Sequence, residues 1–466
     1  MPTFDRQNRR ELDQLVEEYT TSNKINRRQF LQRATAAGLS LSAATSLLAA
    51  CGGSSGGGVN TSGSPATVTS IDVLHEWSGN ELAAFTTITD NFTKKTGIKV
   101  NGEATRDLLT VLSTRVRGNN PPDAAGMPNI SLFQTLATQG KLLNLDPIVG
   151  SEYQANYASV WQQFASVNGH YYAVLPKASG KSTIWYSPKE FQANGYTIPK
   201  TWNDLITLSN KIAGQGKYPW SMGVLSSGSS GWPGADWIDQ IFLSLNGPDQ
   251  YDKWYKHQIP WTDPSVKNAW QMYGQIASGT HYIKGAPASI LASAFQNASY
   301  LPYQTPPAAY MYYLGDFTAG FITAQFPGIK PGTDYDFFPF PTINSAYAGS
   351  VTGGADIFSA FKDNNGTRQF MAYMASAEAQ TVWVQTQVGL SVNKAVSSSA
   401  YPNQVALKAS QVLASASFFK FGADDLMPSA MENAYWAGVL NYIQHPSQLD
   451  SILSSLESTA MQAYTS

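Results

Sequence analysis

The sequence predicts an α/β protein of two lobes, and three observations lead there. Strand-like and helix-like segments alternate from Ile71 onward, the pattern of a mainly parallel sheet flanked by helices. The chain has 466 residues, more than one simple core accommodates. Charged residues make up only 13% of it while aromatics reach 12%, with 12 Trp and 24 Tyr. That balance suits an exported protein that meets neutral polar molecules. The net charge is −2 and no basic stripe runs through the chain, which argues against nucleic acid as a partner.

The first 50 residues read as export machinery. Asn26-Arg27-Arg28-Gln29-Phe30-Leu31-Gln32 resembles a twin-arginine motif, preceded by a polar extension with no assigned role. The apolar segment 34–50 is short and weak for a permanent membrane span. It ends in Leu48-Ala49-Ala50-Cys51, which looks like a lipobox whose cleavage leaves Cys51 to carry lipid and anchor the chain to a membrane. Cys51 is the only cysteine, so no disulfide forms within the chain. Residues 51–69 form a Gly/Ser/Thr-rich tether.

The folded body begins with a strand at Ile71-Asp72-Val73-Leu74. A helix follows from about Asn80, with Leu82, Phe85, Ile88 and Phe92 on one face and Gly97 as its stop. Ile98-Lys99-Val100 is the next strand and 106–117 the next helix. A short Ala/Gly/Met strand after Pro121-Pro122-Asp123 leads into a helix over 131–139. Molecules bind beyond the carboxyl ends of parallel strands. That rule puts Trp77, Arg106 and Asn129 on one cleft wall. Farther on, Thr201 and Asp204 form a capping box for a helix, and Phe370 to Trp383 reads as one amphipathic helix.

The most distinctive stretch is Gly231-Trp232-Pro233-Gly234-Ala235-Asp236-Trp237, which follows Ser226 to Ser230. It reads as a surface loop lining a cleft. Trp232 and Trp237 offer flat apolar faces and N–H donors, and Asp236 accepts from hydroxyls. Such a pairing suits a sugar. The same residues also read as core anchors and a helix cap. Lys181, a three-proton donor, either meets a sugar hydroxyl or is solvated. Gly353 and Gly354 permit close backbone approach, and Asp356 either accepts from hydroxyls or completes the turn.

The order of the segments resembles the sugar-binding lipoproteins of bacterial ABC importers. It includes Thr96-Gly97-Ile98-Lys99-Val100, Gly140 to Asp146, Val167 to Pro176, Trp185 to Lys189 and Pro199 to Leu205. Lys177 to Ser182, Gly231 to Trp237, Tyr251 to Trp254, Asp334 to Phe338 and Asp424 to Pro428 look like the α-glucoside-binding branch. The resemblance covers Ile71 to the C-terminus. It implies a type II periplasmic-binding-protein fold, maltose-binding-protein-like, with a ligand cleft between lobes. Lobe 1 would comprise 70–176 plus 313–378 and lobe 2 177–312 plus 379–466, with crossings near Pro176, near Tyr312–Leu314 and late in the chain. It also implies a monomer that takes a disaccharide or oligosaccharide, without cofactor, and docks on permease subunits. Lys181 and Ser182 would line the site. The run 310–317 would enter the cleft and supply an aromatic platform through Phe317 or a nearby Tyr such as Tyr313, with Asp316 between them as a further ligand-binding residue, and Trp436 would face the cleft from the second lobe.

Other chemistries find little support. The five His lack a helical zinc spacing, no second Cys exists, and no Gly-x-Ser-x-Gly elbow appears. A secreted glycoside hydrolase would need two carboxyls facing one bond, and Asp236 with Asp356 are the candidates. A surface-adhesion lipoprotein is the third class.

Overall fold

The computed structural model describes residues 68–127, 129–278 and 281–465. The twin-arginine motif, Cys51 and most of the tether lie outside them. No described helix is long and apolar enough to cross a membrane.

The first lobe starts as the alternation requires: β1 (Ser70–His75), α1 (Gly79–Thr96), β2 (Lys99–Ala104), α2 (Leu108–Arg117), β3 (Ala124–Met127) and α3 (Ile130–Thr138). Both β2 and β3 pair in parallel with β1. α1 buries Ala84, Phe85, Ile88 and Phe92, and Gly97 ends it at φ 75°, a conformation glycine adopts without strain. The strands β4 (Ser166–Val167) and β5 (His170–Tyr171) form a hairpin around Asn168 and Gly169, both at positive φ.

The chain then enters the second lobe. Its elements are β6 (Ala178–Gly180), β7 (Thr183–Tyr186), α4 (Trp202–Gly214), β8 (Trp220–Ser221), α5 (Trp232–Tyr255), α6 (Pro264–Ala277), β9 (Met311–Tyr313), α7 (Thr318–Gln325), β10 (Asp336–Pro339) and β11 (Ser350–Ala355). The central sheet runs β10-β7-β9-β8. The capping box of α4 is present, with the Thr201 side chain and the Asp204 side chain each satisfying the other's backbone N–H. β12 (Ile357–Ala360) returns to the first sheet beside β3, giving the order β12-β3-β1-β2. Two helices, α8 (Asn365–Ala375) and α9 (Ala377–Gln385), pack there. Finally β13 (Phe418–Phe421), α10 (Ala423–Leu426), α11 (Ser429–Gln444) and α12 (Leu449–Ala463) close the second lobe. A three-stranded sheet, β13-β11-β6, lies where the chain passes between lobes.

Each lobe has its own apolar core. One gathers Phe85, Phe92, Phe133, Phe358, Phe370 and Trp383. The other gathers Trp220, Trp237, Trp254, Trp261, Trp270 and Tyr435.

Two expectations are corrected here. Tyr312–Leu314 is not a crossing: Met311 to Tyr313 form a strand between β7 and β8, and β10 also pairs inside the second lobe. The return to the first lobe comes at 355–357 instead. A buried apolar strand and a hinge strand look alike in sequence, because both are short extended runs. The segment 370–383 spans two helices, since Ser376 leaves the helical conformation and caps α9 by accepting from the Ala379 N–H.

Candidate functional site

The passage between lobes sets the site. β6 and β11 run antiparallel, with Ser179 opposite Gly354 and Ala178 opposite Ala355. A lysine stands at each end of β6. Lys177 Nζ lies 3.0 Å from Glu81 Oε1 and 3.0 Å from Asp356 Oδ2. Lys181 Nζ lies 2.8 Å from Asp236 Oδ1 and 3.4 Å from Asp425 Oδ2. Each ammonium also sits over an indole, Lys177 at 5.6 Å from the Trp383 ring and Lys181 at 5.7 Å from the Trp232 ring. Burial works against both ammonium groups, but the carboxylates around them hold their pKa above the usual lysine value.

Between these two lysines opens a cleft with about 790 Å³ of atom-free space, continuous with solvent. Trp77, Glu76 and Arg106 line it from the first lobe; Trp232, Phe317 and Trp436 line it from the second. The indole of Trp77 donates to Asp356 Oδ2. That of Trp436 donates to Asp424 Oδ2 at 2.8 Å. Trp232 packs edge-on to Phe295 at 5.0 Å, and its Nε1 has no hydrogen-bond partner among the described residues. Apolar ring faces therefore alternate with carboxylates and ammonium groups. Burial pushes Glu76 up to about 7, with Arg106 opposing.

α5 places Trp232 by its start. Gly231, at φ 112°, precedes Trp232, and Pro233 occupies the first turn, where no backbone N–H is needed. A Cβ on Gly231 would lie 2.5 Å from the Trp436 carbonyl oxygen. So Gly231 lets α5 and α11 meet and brings Trp232 and Trp436 to one cleft. The expected surface loop over 231–237 is therefore helix from Trp232 onward.

Of the expected site residues, Trp77, Arg106, Lys181, Trp232, Phe317, Gly354, Asp356 and Trp436 all line this cleft. The others have different places. Trp237 is core, at 5.2 Å from Trp220 and 4.3 Å from Tyr313. Tyr313 is likewise core and donates to the Asp236 carbonyl oxygen at 3.0 Å. Asp236 is 1% exposed and reaches the site only through Lys181. Ser182 is buried; it donates to Gln240 Oε1 and accepts from the Thr352 N–H at 3.0 Å. Asp316 accepts from the Gly180 N–H at 3.1 Å and lines a separate small cavity beside Trp185. A Cβ on Gly353 would meet the Ser179 carbonyl oxygen at 2.6 Å, so that glycine serves strand packing. Asn129 caps α3 and donates to Glu432 Oε2 at 2.8 Å, outside the main cleft. Helical and strand periodicity turned most of these side chains inward, whereas residue chemistry, the strand-end rule and the family resemblance had drawn them into the site.

Several lining residues escaped the sequence reading: Glu76, Glu81, Lys177, Asp424 and Asp425. Two signals pointed to them. Glu76 adjoins Trp77, and Lys177 and Asp424-Asp425 stood in motifs shared with the resembled family. The hydrolase pair fares poorly, since Asp236 and Asp356 are each already held by a lysine. Among the described residues no cluster of His, Cys, Asp and Glu fits a metal ion.

The sequence profile of the bacterial extracellular solute-binding proteins matches residues 77–381. This chain belongs to that family. The osmoprotective compounds-binding protein GgtB of Synechocystis is 34% identical over 76% of this chain and 83% of its own length. The alpha-glucosides-binding periplasmic protein AglE of Rhizobium meliloti is 29% identical over 82% and 84%. Among solved structures, the solute receptor AcbH superposes with a TM-score of 0.75 at 22% identity, covering 85% of this chain and 99% of that one. Maltose-bound MalE3 of T. maritima gives 0.69 at 14%, covering 84% and 99%. These superpositions establish the two-lobed solute-binding fold. The relatives and structural neighbours are solute-binding proteins rather than enzymes.

Proposed function

We propose that this protein is the sugar-binding component of an ABC carbohydrate importer. It captures an α-glucoside such as sucrose, maltose or trehalose by closing its lobes, and delivers it to the permease as a monomer held to the membrane by lipid on Cys51. The observation that carries this reading is one cleft in which Trp77, Trp232, Phe317 and Trp436 stand among Lys177, Lys181 and their carboxylates. The rings of Trp232, Phe317 and Trp436 cover sugar C–H surfaces while Trp77 packs the wall behind them, and the charged groups exchange hydrogen bonds with hydroxyls. Because both lobes contribute, a bound sugar favours the closed form and shifts the population toward it. A sugar lacking one hydroxyl leaves a buried polar group unpaired and is rejected. The names of GgtB and AglE support a sugar or related osmolyte as cargo, and the twin-arginine and lipobox patterns support export and anchoring.

The test is calorimetric titration with a panel of disaccharides while product formation is followed. Saturable heat with an α-glucoside at a Kd near micromolar, about −8 kcal/mol, and no product is the expected result. Turnover of any sugar would return Asp236 and Asp356 to consideration as a hydrolytic pair. Silence across the whole panel would sink the proposal.

A further inference from the structure

The serine-rich turn ahead of α5 belongs to the second lobe but reaches across to the first. Ser226 to Ser230 are tied by their own atoms. The Ser229 N–H donates to the Ser226 carbonyl oxygen at 3.1 Å, the Ser226 N–H to Ser230 Oγ at 2.9 Å, and the Ser230 hydroxyl to the Ser227 carbonyl oxygen at 2.7 Å. These bonds hold Ser227 at φ 50°, a region that residues other than glycine seldom occupy. Two hydroxyls of the turn then meet the first lobe. Arg106 Nη2 donates to Ser226 Oγ at 2.8 Å, and Ser229 Oγ donates to the Arg106 carbonyl oxygen at 3.2 Å. Gly228 rests against the Asp107 carboxylate, where a Cβ would collide. Arg106 is also fixed from its own side, since Nη1 donates to the Glu76 carbonyl oxygen at 3.2 Å. Both partners of each cross-lobe bond are protein groups, and none belongs to the crossings, so no sugar is needed to complete them.

We propose that the Ser226–Ser230 turn is a latch that clasps Arg106 and ties the second lobe to the first, so that closed molecules are populated before a sugar arrives. This goes beyond the sugar-binding reading, which derives closure from the sugar. Ser226 is a positioning residue: unlike Ser229, it lies outside the lining of the main cleft, and it acts through Arg106 and the angle between lobes. Such a latch sets the affinity for all sugars together. The apparent dissociation constant is the intrinsic one divided by the closed fraction, so losing closed molecules weakens every sugar by one factor. Arg106 keeps its bond to Glu76 when the turn lets go, which leaves the cleft's own sugar contacts in place.

The experiment is double electron–electron resonance between one spin label on each lobe, in the full chain carrying Cys51→Ser, paired with calorimetric titration of sucrose, maltose and trehalose. Without sugar, the unaltered protein should show a short distance beside a longer one, with the short one dominant once sugar is added. Ser226→Ala should lower the sugar-free ratio of short to long about tenfold, the effect of one hydrogen bond to a charged donor, and should weaken all bound sugars by a common factor. Ser226→Thr keeps the hydroxyl and should hold the ratio within about threefold of the unaltered protein. No short distance without sugar overturns the latch, and that measurement requires no substitution at Ser226. A ratio unchanged in Ser226→Ala overturns it too. So does a loss that differs by more than about threefold between sugars, which makes Ser226 a sugar contact. If no sugar binds, the sugar-binding reading fails, while the sugar-free distances still decide the latch. Circular dichroism melts confirm that each variant is folded before distances are compared.

Discussion

The two walls of the cleft use the same parts in different proportions. In the first lobe Lys177 faces Glu81 and Asp356, and the side chains of both acids retain 16% exposure. In the second lobe Lys181 faces Asp236 and Asp425, whose side chains retain 0% and 9%. Asp424 and Asp239 stand close behind, and Asp239 accepts from the Ala423 N–H at 2.6 Å and from Tyr435 at 3.0 Å. The acids of the first wall keep more contact with water than those of the second, although Lys181 at 11% side-chain exposure is slightly more open than Lys177 at 6%. A buried ion pair adds little net stability, yet removing one partner is severe, because the other charge is stranded. The second wall therefore depends more on its lysine, because Asp236 has no access to water.

The largest expected effect breaks this comparison directly. Lys181→Met should lower the unfolding free energy by about 3–5 kcal/mol, and Lys177→Met by roughly half of that, since water can reach its partners. Denaturant titration measures both; equal losses would erase the distinction between walls. Next comes the helix junction. Gly231→Ala forces a Cβ against the Trp436 carbonyl at a φ of 112°, which should cost about 2–3 kcal/mol by thermal melting and weaken sugar binding as well.

Trp232→Ala should weaken sugar binding about tenfold, near 1.4 kcal/mol, because its ring lines the cleft. Trp77→Ala should instead act on stability, by roughly 3–5 kcal/mol. Trp77 is only 2% exposed and packs on Phe85, Phe358 and Trp383. Paired melts and titrations separate the two roles.

The smallest effect is with pH. Burial raises Glu76 and Asp316 each to about 7. The folded chain thus keeps protons that the unfolded chain has released, so their contribution is greatest at low pH and is lost as pH rises through about 7. Burial lowers His75 to about 4, which acts oppositely but only below about 6.5. Between pH 6.5 and 8 the melting temperature should therefore fall, and Glu76→Gln should flatten the slope. A melting temperature that rises across that window would contradict the assignment.

Much of the scaffold was legible in the sequence. Phe85, Ile88 and Phe92 marked the buried face of α1, Gly97 its end, and Thr201 with Asp204 the capped start of α4, because caps and helical stripes are local. Trp77, Arg106, Lys181, Trp232, Phe317, Gly354, Asp356 and Trp436 were expected at the site from strand ends, a glycine loop and shared motifs, and all line the cleft. Asp236 and Trp237 were placed at the site by the chemistry of their stretch and Tyr313 by the family resemblance; helical turn and strand alternation turn all three inward. Sequence alone determined the alternating α/β scaffold and the supply of indoles and acids. Only the tertiary structure decided which lobe each strand joined, and that Lys177 and Lys181, four residues apart, would face separate carboxylate sets. Those pairings link positions as distant as Lys181 and Asp425, and no local preference encodes a contact that forms only when two lobes pack around one crossing.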